Sequence, residues 1–214
     1  MFKQIVLIGL VALLSACASS VPSTSRLSDD IMMGIKASSD VVDFQFNSNV
    51  MDGEIKPSAK GSREVQGSHP GYTHNESTSL NKMMGEFASM KFNSLSSDSN
   101  IKIKVLLNDF WIEQYSTDST GQMWLAALGG GEIHIMIVAH LGIAFEIIKD
   151  GKVNRKKLHI SSESIHVSGM GTGTSTSNIY RGSESIEFRV ADAMNAVNNK
   201  AIIMLNHFLA SNQM

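Results

Sequence analysis

Apolar and polar residues change their spacing several times along this chain, and each change predicts an element. Val42, Phe44 and Phe46 alternate with Asp43 and Gln45, the period of a half-buried strand. Leu80, Met83, Met84, Phe87, Met90 and Leu95 then recur at helical spacing, with Ser77 or Thr78 placed to cap the helix. Ile101, Ile103, Val105 and Leu107 alternate with Lys102 and Lys104, predicting a strand that continues through Phe110, Trp111 and Ile112 to Tyr115. Ser116 to Gln122 reads as a hairpin turn. From Glu132 to Ile148 the alternation returns, with Ile133, Ile135, Ile137, Leu141, Ile143, Phe145 and Ile147 on one face. Asp150-Gly151 is a two-residue hairpin signal, and the strand returning from Lys152 runs to about Ser168. A last helix starts near Ser183 or Ser185 and carries Ile186, Val190, Met194, Val197, Ala201, Leu205 and Phe208 in one stripe.

These elements predict an α+β domain over residues 38–214: an antiparallel sheet with two amphipathic helices on one face, in the order β-α-β-β-β-α. Residues 47–76 hold Gly, Pro and polar residues without a sustained period, so a long loop is expected there, with room for a short strand around Val50, Met51 and Ile55. Gly129-Gly130-Gly131 marks a bulge or kink, and residues 169–182 form a second Gly/Ser/Thr loop.

The first residues follow another rule. Lys3 precedes an apolar run from Ile5 to Leu14, and small residues follow. That is the layout of a secretory signal peptide, over residues 1–16. The run is too short to span a bilayer, which takes about 20 residues. Leu14-Ser15-Ala16-Cys17 resembles the lipobox of bacterial lipoproteins, with no position departing from the pattern. The resemblance implies cleavage between Ala16 and Cys17, and lipidation of Cys17. Cys17 is also the single cysteine, so an intrachain disulfide is impossible. Each buried methylene contributes about 0.8 kcal/mol, so two or three acyl chains hold a protein where one does not. Ala18 and Ser19 follow, with no Asp. By the rule for Gram-negative lipoproteins this implies the outer membrane, on its periplasmic side. Residues 17–37, Ser-rich with Pro22, are expected to be a lipidated cysteine followed by a flexible tether.

Composition adds few constraints. Removing the leader leaves about 198 residues, enough for one domain with a substantial core. Hydrophobic residues make up 43% and charged residues 18% of the chain, as in ordinary globular proteins. The net charge of −2 gives no footprint for nucleic acid. The lipobox, the tether and the order of elements together look like the small periplasmic lipoproteins of the YajG type and the auxiliary lipoproteins of ABC-type exporters. That resemblance implies an envelope protein partner.

A search for catalytic chemistry returns little. The Gly-x-Ser-x-Gly elbow and the His-Glu-x-x-His helix are absent. Gly169-Met170-Gly171-Thr172-Gly173 follows an antiparallel strand, the wrong context for a phosphate loop. No cofactor and no enzymatic activity are expected. The histidines are more informative. If Asp150-Gly151 forms the turn, paired residue numbers sum to 301, so His140 faces Ser161 and His159 faces Gly142. His140 and His159 are then diagonal neighbours about 7–8 Å apart at Cα, with His134 further along the same face. Two readings stay open for His140 and His159: a metal clip, since imidazole binds Zn²⁺ and Cu²⁺, or a solvated polar face shared with Arg155, Lys157, Ser161 and Glu163. His69, His74 and Tyr72 are expected in an exposed loop, and Trp111 and Tyr115 in packing or in partner contact. Three functions follow: a binding or scaffold component of an envelope assembly, an accessory subunit of an exporter or surface appendage, and a small lipid-anchored metal-binding protein or hydrolase.

Overall fold

The computed structural model describes residues 19–22, 25–55, 57–58, 72–118, 132–170 and 186–214. Within them the chain forms β1 (Ser19–Ser20), α1 (Asp29–Gly34), β2 (Ser38–Ser48), β3 (Gly53–Ile55), β4 (Tyr72–His74), α2 (Glu76–Lys91), β5 (Phe92–Leu95), β6 (Lys102–Ser116), β7 (Glu132–Lys149), β8 (Lys152–Ser161), β9 (Ile165–Met170) and α3 (Ile186–Ser211). The fold is α+β, as the alternating and helical periods predict.

The main sheet runs β5-β2-β6-β7-β8, with β9 continuing along β7 beyond the end of β8. It is not wholly antiparallel, as expected from sequence. β2 pairs in parallel with both β5 and β6. The cause is the connection: the helix α2 between β2 and the following strands is a crossover, which returns the chain in the same direction. Only β6, β7, β8 and β9 pair antiparallel. The strand expected from Lys152 to about Ser168 is broken at residues 162–164, giving β8 and β9. A bulge between Leu107 and Asp109 shifts β6 by one residue, so its buried positions change from odd (Ile103, Val105, Leu107) to even (Phe110, Ile112, Gln114).

Both long helices lie on one face of this sheet and share a single core with it. Leu80, Met83, Met84 and Phe87 of α2, Val197, Ala201 and Leu205 of α3, and Ile135, Ile137, Leu141 and Phe145 of β7 are buried together. The stripe expected on α2 stops early. Met90 is exposed in the last turn of the helix, where Phe87, Ala88 and Lys91 take the buried side, and Leu95 is exposed in β5 beyond its end. Ser77 and Thr78 do not cap α2. The helix starts one residue earlier, and Asp52 accepts hydrogen bonds from the Ser77 and Thr78 amides at 2.7 and 3.2 Å.

Described parts of the expected 47–76 loop and of the expected tether are built into the body, while residues 56 and 59–71 lie outside the described residues. Tyr72 and His74 form β4, pair with β3 and are buried, and the His74 ring packs 5.0 Å from that of Phe110. Of the expected tether over residues 17–37, the described residues 19–22 and 25–37 are part of the folded body. β1 pairs with β4, Leu27 is fully buried, and Ile31 on α1 joins the core. Ser28 N donates to Asn199 Oδ1 at 2.9 Å, and Asn199 Nδ2 donates to the Arg26 carbonyl at 3.1 Å. Leu27 and Ile31 supply apolar anchors that composition alone does not reveal. The lipobox and the leader lie outside the described residues, as do His69, the Gly129–Gly131 run and the expected start of the last helix.

Candidate functional site on the open sheet face

The face of the sheet opposite the helices carries most of the described polar chemistry. Strand alternation directs onto it Lys104, Leu106, Trp111 and Glu113 from β6, His134, His140, Ala144 and Glu146 from β7, and Arg155, Lys157 and His159 from β8. The turn that sets the β7–β8 register is the one the sequence signals. Asp150 and Gly151 have φ of 52° and 72°, the two positive values of a type I′ turn. Every pair sums to 301, so His140 does face Ser161 and Gly142 does face His159.

His140 and His159 are therefore brought together, with ring centroids 5.6 Å apart. A third ring joins them. Trp111 lies directly across from His140 and stacks on it at 4.8 Å with planes 6° apart, and its ring is 4.6 Å from His159. Both nitrogens of His140 are engaged. Nε2 lies 3.1 Å from Glu113 Oε2, and Nδ1 lies 2.9 Å from Ser161 Oγ. An ionised carboxylate only accepts, so Nε2 carries the proton and Nδ1 of the neutral ring accepts from the Ser161 hydroxyl. Glu113, His140 and Ser161 thus form one hydrogen-bonded line across three neighbouring strands. Gly142 leaves room for this face to close up: a Cβ there would overlap the Asp109 carboxylate.

Further along β7, His134 Nδ1 and His166 Nε2 are 3.1 Å apart, a second imidazole pair on the same face. Among the described residues, no three His, Cys, Asp or Glu side chains converge as a metal cluster.

At the other end of the face lies a shallow groove of about 390 Å³, with Leu106 and Ala144 among its lining and Lys104, Glu146, Arg155 and Lys157 around them. Arg155 donates twice to Glu146 Oε2, and Lys104 Nζ sits 3.6 Å from Oε1. These cations, Arg155 foremost, hold the Glu146 carboxyl below the usual carboxylate range. Lys157 has no ion-pair partner among the described residues. Three cations against one carboxylate leave the groove positive.

No family model matches the chain, and no curated protein does. Several solved structures share part of its chain course. A Xanthomonas campestris protein of family DUF330 superposes with a TM-score of 0.48 at 10% identity, covering 92% of this chain and 97% of that one. Rare lipoprotein B from Shewanella oneidensis gives 0.37 at 14% identity, over 81% of this chain and 96% of that one. A minor lipoprotein from Acinetobacter baumannii gives 0.37 at 6% identity, over 83% and 96%. Two of these three neighbours are lipoproteins by name.

Proposed function

We propose that this chain is a lipid-anchored lipoprotein of the outer membrane, facing the periplasm, where it serves as a binding or scaffold component of an envelope assembly. The anchor rests on Leu14-Ser15-Ala16-Cys17, whose chemistry is that of a lipobox. The binding role rests on one observation: no helix among the described residues packs on this face of the sheet, which carries an aromatic platform beside a positive groove. Aromatic side chains and arginine are the residue types that anchor protein interfaces, and a net positive groove favours an acidic partner surface. The β8 edge also carries Lys152, Arg155, Lys156 and Lys157, charges that discourage pairing with a stray strand.

Two experiments test the two halves. Cys17→Ser is expected to abolish labelling with radioactive palmitate and release the protein from membranes; a variant that still sediments in high salt would show that lipid is not the anchor. For the docking face, the lipidated protein is cross-linked in cells and its adducts compared with those of Arg155→Glu/Lys157→Glu. The charge reversals are expected to remove the major adduct, while Lys82→Glu on the helical side keeps it. An adduct unaffected by the reversals places the partner elsewhere.

A further inference from the structure

The line of Glu113, His140 and Ser161 has the order of an acid, an imidazole and a hydroxyl. We propose that it is a nucleophilic relay that makes Ser161 an acyl-accepting serine toward activated carboxylic esters, an activity beyond and independent of the docking role.

Three observations carry this. First, both links lie within hydrogen-bonding range, 3.1 Å for acid to imidazole and 2.9 Å for imidazole to hydroxyl. Their direction is right for general-base catalysis: Glu113 fixes the proton on Nε2, leaving the Nδ1 lone pair to take the Ser161 proton. The two ring nitrogens exchange places relative to the usual serine relay, and since each can carry either the proton or the lone pair, the chemistry is preserved. Second, the three groups are held by strands. Trp111 pairs with His140 and His140 with Ser161, while Glu113 stands two residues along β6 on the same face. Trp111 stacked on the ring holds its plane. Third, the neighbourhood suits an oxyanion. Ser162 N donates to the Ala139 carbonyl at 2.8 Å, which makes His140 and Ser161 a non-hydrogen-bonded pair. The Ser161 amide therefore points away from β7, toward the edge of β8 that pairs with no other strand among the described residues. Lys200 Nζ reaches the same edge and sits 3.0 Å from the Ser161 carbonyl. The nucleophile's own peptide N–H is a donor of the kind that tetrahedral intermediates require, and Lys200 fixes the backbone that carries it.

The step balances. Ser161 Oγ bonds to the acyl carbon as its proton passes to His140 Nδ1. The ester C–O bond then breaks, and the departing alkoxide takes that proton. Water repeats the sequence on the acyl-serine, giving the acid and free Ser161. Side-chain exposures of 13% for His140 and 17% for Glu113 place the relay just beneath the surface.

A fluorophosphonate probe is the test, because it traps such a serine irreversibly: the Oγ–P bond forms, fluoride leaves, and the proton goes to His140. The full chain in detergent is incubated with the probe and the adduct located by peptide mass. The expected result is one dominant adduct on Ser161, lost in Ser161→Ala and slowed about 100-fold or more in His140→Gln. Glu113 acts as a positioning residue. Glu113→Gln offers an amide donor to Nε2 and reverses the tautomer, so labelling slows and its pH midpoint moves while the melting temperature holds. Asp109→Asn on the same face keeps wild-type labelling. A Ser161 adduct that forms no faster than adducts on other surface serines overturns the relay, and so does one that survives His140→Gln in a variant whose circular dichroism is native.

Discussion

Glu76 is a buried carboxyl at the start of a helix. It opens α2, is fully buried, and neither carboxyl oxygen meets a hydrogen-bond donor at normal geometry. It borders a cavity of about one water molecule, lined also by Pro22, Ser25, Asn195 and Asn198. Burial pushes its pKa up to about 8. The Asp52 charge adds to the rise and the Asn198 amide tempers it. Two neighbouring groups then set opposite pH limits. Because Glu76 holds its proton more tightly when folded, its contribution is fully present below the ordinary carboxyl range and is lost as pH rises through about 8. His74 works in reverse. Its Nδ1 accepts from the Glu76 amide at 3.2 Å, and burial lowers its pKa, so stability falls as pH drops below the ordinary imidazole range. Glu76→Gln, whose amide can donate to the unpaired Asn198 Oδ1, is expected to flatten the alkaline limb and stabilise the protein at pH 9 by on the order of a few kcal/mol. Urea unfolding at pH 5, 7 and 9 checks this, and equal slopes in both proteins would refute it. Gly142 offers a second residue-scale test. Gly142→Ala should cost about 1 kcal/mol in the wild type and less once Asp109→Ala removes the overlapping carboxylate.

Among the elements, α2 depends on a residue far from it in sequence. The Asp52 carboxylate satisfies the first amides of the helix and also takes the Thr78 hydroxyl. A carboxylate at a helix N-terminus is favoured by both the free N–H groups and the dipole. Asp52→Ala is expected to cost about 1 kcal/mol and to speed amide exchange in the first turn of α2, leaving α3 unchanged; equal exchange in both helices would assign the loss to global unfolding. This cap also shows where sequence reasoning stops. The β7–β8 hairpin was legible because two local signals agreed, Asp150-Gly151 and the alternation on either side. The pairing of His140 with Ser161 followed from them. Glu113 was not assignable to His140, since the β6–β7 register depends on the bulge at Leu107/Asp109 and on a connection with no turn signal of fixed length. The parallel pairing of β2 was equally hidden, because periodicity gives a strand's faces and says nothing of its direction.

For the whole molecule, the consequence lies in the first residues of the folded body. A flexible tether would let the domain drift from its anchor. Here only Ala18 separates Cys17 from β1, a reach of roughly 7 Å for two extended residues. Held by lipid at Cys17, the domain would stand against the bilayer surface, with β1 paired to β4 and Arg26 and Ser28 held to α3 by the Asn195 and Asn199 side chains. No described helix is long and apolar enough to cross a membrane. Clamp and tether differ in what they predict for Leu27. As a core residue, Leu27→Ala opens a cavity and is expected to cost about 2–4 kcal/mol; as a tether residue it would cost nothing measurable. Calorimetry of the full chain in detergent reads the difference directly. A lowered melting temperature for Leu27→Ala, with none for Met33→Ala on the exposed side of α1, assigns the segment to the domain. Inserting a Gly/Ser stretch of about 20 residues between Ala18 and Ser19 should then leave melting unchanged, since the new residues add reach outside the clamp. If the insertion lowers the melting temperature, the clamp extends to Ala18, and the lipid site and the folded body are one mechanical unit.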